Sequence, residues 1–180
     1  MQKNAGRVAL CGISAALSLL FLLLTAVPVT EIALAALAGV VVIPAIIELG
    51  RRGGLLIYMG VSLLALLLVP SLEAKVLYIA FFGWYPALKS LLESRRLPRV
   101  VELLLKGATF NAAVLTAYWL MTRFWGLPAD SFTIAGHSLP LVFLMLGNVV
   151  FFLYDIGLSR VITAYCRRWQ QHIHRLLKMK

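Results

Sequence analysis

An all-α, polytopic membrane bundle of six transmembrane helices is the fold this sequence predicts, and three observations predict it. Hydrophobic residues make up 62% of the chain and charged residues only 13%, where soluble domains carry about a quarter charged. Six apolar windows of near-membrane length follow one another, separated by glycine, proline and charged residues. If those windows alternate across a bilayer from a cytoplasmic N-terminus, fifteen of the seventeen Lys and Arg fall inside and only Lys75 and Arg123 outside. That is the bias that keeps basic loops in the cytoplasm, and it places both termini there, in a multi-pass protein of the cell membrane.

The first window, residues 8–26, follows Lys3 and Arg7. A cleaved secretory signal is the rival reading, but the length of the run and the similar runs behind it favour a span. Ala5, Ala9, Gly12 and Ala16 recur four, three and four residues apart, a small-residue stripe that lets another helix approach closely. It serves either packing within the bundle or the docking of a partner. The second window, 31–49, holds Ala35 and Gly39, a kink at Pro44, and Glu48. The third, 53–70, is the shortest and follows Gly50-Arg51-Arg52-Gly53-Gly54. In the fourth, 75–93, Gly83 and Pro86 lie a turn apart, so a kink is expected, with neighbouring helices satisfying the freed backbone. Residues 95–106 are too short and too charged to span. With Pro98 suited to a first turn, they read as an amphipathic cytoplasmic helix at the interface. The windows 107–126 and 139–159 complete a transmembrane domain over 1–160. The remainder, 161–180, reads as part of a basic amphipathic helix over about 160–180. Ile162, Tyr165, Trp169, Ile173 and Leu176 share one stripe, for the inner leaflet or for a cytoplasmic partner.

Chemistry is sparse. No His-Glu-x-x-His, Gly-x-Ser-x-Gly, Walker or Asp-rich motif is present, and seven acidic residues are scattered over the chain, so we expect no enzyme, metal or cofactor. His172 and His174 lie on different helix faces. Cys11 and Cys166 fall at the cytoplasmic face, where a disulfide does not persist. The net charge of +10 is topology and attraction to lipid headgroups; we expect no nucleic-acid partner. Polar residues inside apolar windows carry more information, since each is costly unless paired. Toward the cytoplasm, Glu48, Lys89, Asn111 and Asp155 lie at similar depth, either as an intramembrane cluster with one lysine between two carboxylates or as separate snorkelling residues. Toward the outside, Tyr78, Trp84, Tyr118 and Arg123, with Glu31 at the mouth and Asn148 near the midplane, supply the aromatic and polar groups of a small-molecule pocket. Trp119, Trp125 and His137 nearby are equally explained as belt and loop residues.

The layout and the opening Arg7-Val-Ala-Leu-Cys-Gly-Ile-Ser-Ala-Ala-Leu17 resemble the substrate-binding S components of energy-coupling factor (ECF) transporters. That resemblance implies an importer subunit capturing a vitamin-type small molecule. Its first span would dock a coupling membrane protein through Ala5, Ala9, Gly12 and Ala16, with ATPase subunits as further partners. The pocket-capping loop would fall at residues 27–31, unusually short for that family. The architecture is similar also to the MreD kind of morphogenesis protein, which implies a non-transporting membrane scaffold.

Overall fold

The computed structural model describes residues 2–26, 30–95, 97–125, 133–134, 137–138 and 140–169. The described residues are predominantly helical, with one ladder of two-residue strands. Helix α1 (Gln2–Leu23) ends in a 3-10 turn, Leu24–Ala26. Helices α2 (Glu31–Val40) and α3 (Ile43–Leu68) follow. Next come α4 (Leu72–Leu77), a π-helical turn (Tyr78–Phe82) and α5 (Tyr85–Ser94). Helix α6 (Arg99–Trp125) is joined to α7 (Pro140–Ala164) across the antiparallel pair β1 (Thr133–Ile134) and β2 (His137–Ser138). A second π-helical turn, Tyr165–Trp169, continues α7.

Four stretches, Ala5–Leu23, Ile43–Leu68, Arg99–Arg123 and Leu144–Arg168, are helical, long and apolar enough to cross a membrane. The outer surface agrees: Leu56, Leu67, Leu104, Met145 and Leu153 are all more than 60% exposed. Such a continuous apolar surface is unfavourable in water and suits lipid.

Two of the six predicted windows are broken helices, and glycine and proline explain both. In the second window α2 stops at Val40 and α3 starts at Ile43 with Pro44 in its first turn, where a proline's missing N–H costs nothing. In the fourth window the π-helical turn donates Gly83 N–H to the Tyr78 carbonyl at 2.9 Å, and α5 restarts with Pro86 in its first turn. The expected kink is thus a full interruption.

Gly50 has φ 79° and ψ 174° inside α3, a backbone region closed to side chains with a Cβ. The chain reverses there. Ile46 and Gly54 abut, although eight residues of straight helix would separate them by about 12 Å. The limb after Gly50 then runs antiparallel to the fourth window, with Arg51 donating to Ser94 Oγ at 3.1 Å and Tyr58 to the Ile79 carbonyl at 2.8 Å. A single glycine therefore does the work expected of the loop 50–54.

The amphipathic helix expected over 95–106 does not exist as a separate element. Residues 99–106 are the first two turns of α6, which runs unbroken through the next window. Nothing from Arg99 to Gly107 breaks a helix, and Lys106 is only 2% exposed because its charge is met inside the bundle. At the other end, α7 passes through Arg160 without interruption to Ala164. The rest of the expected tail helix, 170–180, with His172 and His174, lies outside the described residues, as do residues 27–29 and the side chains of Trp125 and His137.

The core forms around the fourth window. Phe81 packs against Tyr85, Phe110 and Phe151 at centroid distances of 4.6, 5.3 and 5.7 Å, and Phe110 stacks on Phe151 at 4.8 Å. Gly39 lets α2 approach the Phe82 carbonyl so closely that a Cβ would collide with it. Against this side α1 presents Leu10, Ser14, Ser18 and Leu22, all buried, with Ser18 donating to the Ala38 carbonyl at 2.8 Å.

Candidate functional site

Beneath the aromatic layer lies a layer of charge. Lys89, on α5, is fully buried and sits 2.7 Å from both Asp155 of α7 and Glu93 one turn along its own helix. Lys106 of α6 reaches Glu102 at 2.6 Å, Glu93 at 2.9 Å and Asp155 at 3.2 Å. Tyr85 closes the set, its hydroxyl donating to Asp155 at 2.7 Å while its ring stays in the aromatic layer. Two ammonium groups thus face three carboxylates, contributed by α5, α6 and α7. In a poorly polarisable interior such pairs are strong only when every member is satisfied. Here they are, so the layer holds the three helices in one register.

This differs from the expected cluster in membership. Lys89 and Asp155 are in it; Glu48 and Asn111 are not. Glu48 accepts from the Tyr165 hydroxyl at 3.2 Å, linking α3 to the end of α7. Asn111 instead forms a reciprocal amide pair with Asn148 (3.1 and 2.9 Å), a link between α6 and α7. Glu93, Glu102, Lys106 and Tyr85 complete the layer beyond the expected members. For Glu93, Glu102 and Lys106 the signal is the i, i+4 spacing of Lys89 with Glu93 and of Glu102 with Lys106, which places each pair on one helix face.

The six residues expected to line a pocket are not brought together. Tyr78 is fully buried in the core, accepting from Ser18 at 3.3 Å. Asn148 is held in the amide pair. Tyr118 and Arg123 are exposed on α6. Glu31 lies at the start of α2 beside Glu73 of α4, whose carboxyl is raised above its ordinary value by partial burial and then by the neighbouring Glu31 charge. Trp84 lines a cleft of about 630 Å3 between the second limb of α3, the α4–α5 segment and α6. The cleft walls are mostly Leu66, Val76, Ile79, Ala80, Ala112 and Ala113, and it opens sideways where Leu66 and Ala112 are exposed.

On α1 the small-residue stripe faces away from the bundle. Ala5, Ala9, Gly12 and Ala16 are all exposed, and a Cβ at Gly12 would meet nothing within 4 Å. Both cysteines are free thiols, and the described residues contain no group of three metal-ligating side chains. No known protein family, curated protein or solved structure matches the chain.

Proposed function

We propose that this chain is a non-enzymatic, six-span subunit of a cell-membrane assembly, with both termini cytoplasmic, that works by docking a second membrane protein along α1. The observation that carries the reading is the division of labour on that helix. Leu10, Ser14, Ser18 and Leu22 are buried in the bundle, so the stripe at Ala5, Ala9, Gly12 and Ala16 is not needed for internal packing. Small residues on an outward helix face allow close backbone approach, which drives helix association in lipid, where burial from water gives no force. The charged layer adds rigidity to the bundle by holding α5, α6 and α7 in one register. The six-span topology follows from counting the two broken windows and the second limb of α3 as spans beside α1, α6 and α7, and the orientation from the basic bias.

Two assemblies fit. A scaffold is favoured by the dispersal of Glu31, Tyr78, Trp84, Tyr118, Arg123 and Asn148, since a captured polar molecule requires convergent groups. The importer reading, with a bound small molecule and ATPase subunits, rests on the resemblance to S components and keeps the same docking face. Purification of the tagged chain from its host in mild detergent, followed by mass spectrometry, tests both. A partner that co-purifies with the unaltered chain and is lost from Gly12→Leu, with helical content unchanged, supports docking. Retention by Gly12→Leu refutes it. ATPase subunits among the partners would select the importer, and envelope-assembly proteins the scaffold.

A further inference from the structure

The cleft beside Trp84 is built for an apolar chain. Its hydroxyls and indole are satisfied within their own helices: Thr109 donates to the Leu105 carbonyl at 2.8 Å, Thr116 to Ala112 at 2.8 Å, and Trp84 Nε1 to Ala80 at 2.9 Å. A polar guest would lose its hydration there without compensation. From Thr109 to Leu120 the α6 wall rises about 16 Å at 1.5 Å per residue, close to half the roughly 30 Å hydrocarbon thickness of a bilayer. The cleft therefore has the depth of one leaflet and opens toward lipid.

Charge names the occupant. Val76 of α4 packs with Ala117 and Met121 of α6, flanked by Leu72 and Ala80, so the start of α4 and the end of α6 are level. Lys75 adjoins Val76 and lies four residues before Ile79, a cleft residue; Arg123 lies three residues after Leu120 and seven after Thr116, both cleft residues. Those spacings put Arg123 on the cleft face of α6 and Lys75 at the rim of the cleft on α4. Across residues 53–88 and 107–159 they are the sole Lys and Arg, and neither makes an ion pair with a described residue. We propose that this cleft seats an anionic phospholipid, its acyl chain against Trp84, Ala112 and Thr116 and its phosphate between Lys75 and Arg123.

The test is native mass spectrometry of the delipidated full-length protein, titrated with phosphatidylglycerol or with phosphatidylcholine of the same chain length. One tightly held phosphatidylglycerol per chain is expected, preferred over phosphatidylcholine. Lys75→Gln and Arg123→Gln should each weaken it about fivefold, the effect of one basic residue on an anionic headgroup. Ala112→Phe should displace the chain. Arg123 is exposed, so Arg123→Gln remains informative even if Ala112→Phe does not fold. Equal uptake of the two lipids, an undiminished adduct in the Lys75→Gln/Arg123→Gln protein, or a second copy of the chain seated in place of lipid would each overturn the proposal.

Discussion

Neutralising Lys89 should cost the fold more than neutralising Asp155, although the two share a 2.7 Å ion pair. The layer holds two ammonium groups and three carboxylates. Asp155→Asn leaves two of each, and the asparagine oxygen still accepts from Tyr85 and Lys89. The loss is that of charge-assisted hydrogen bonds, about 1.5–3 kcal/mol. Lys89→Met instead leaves three carboxylates around Lys106 alone, with Asp155 and Glu93 deprived of their nearest cation. Breaking a buried pair from that side costs about 3–5 kcal/mol. Joining the two changes restores the balance to one lysine with two glutamates, so the Lys89→Met/Asp155→Asn protein should be more stable than Lys89→Met alone. Reversible unfolding in mixed detergent micelles, followed by far-UV circular dichroism, measures all four proteins. Equal losses from the two single changes, adding in the double within about 0.5 kcal/mol, would refute the layer as one coupled unit.

Other outcomes follow from single contacts. Gly39→Ala drives a Cβ into the Phe82 carbonyl and should lower stability by about 1–3 kcal/mol. Gly157→Ala, with nothing within 4 Å, should gain about 0.5–1 kcal/mol from helix propensity in the same melts. Asn111→Leu and Asn148→Leu should show a coupling of about 0.6–1.7 kcal/mol in a double-mutant cycle, as polar pairs between membrane helices do; zero coupling would remove the amide pair. Glu73, held above its ordinary value of 4.5, binds its proton more tightly folded than unfolded. Stability should therefore fall as pH rises from 4.5 through the raised folded value, and Glu73→Gln should flatten that slope in melts across the window.

The pairing of Lys89 with Asp155 was legible in the sequence; rotation about each helix axis was not. Hydropathy and basic residues put Lys89 and Asp155 at one level, and the structure has them in contact. The same reasoning put Tyr78 and Trp84 on the outer side of one window, yet the π-helical turn between them points Tyr78 into the core and Trp84 toward the cleft. Asn111, expected level with Asp155, instead pairs with Asn148, two turns and about 10 Å before Asp155 on α7. Charge was the misleading signal at 95–106. Glu102 and Lys106 look unsuited to a bundle until their partners on other helices are known, and single-segment reasoning does not supply those partners. Two arginines and three glycines around Gly50 predict a loop, whereas one positive φ suffices for the reversal.

The most direct measurement is photo-crosslinking in the native membrane, with the reactive side chain placed at Gly12 on the small-residue stripe or at Leu67, which is 82% exposed on the second limb of α3. Docking along α1 predicts a discrete protein adduct from position 12 and lipid adducts alone from position 67. Lipid adducts alone from both positions would contradict it.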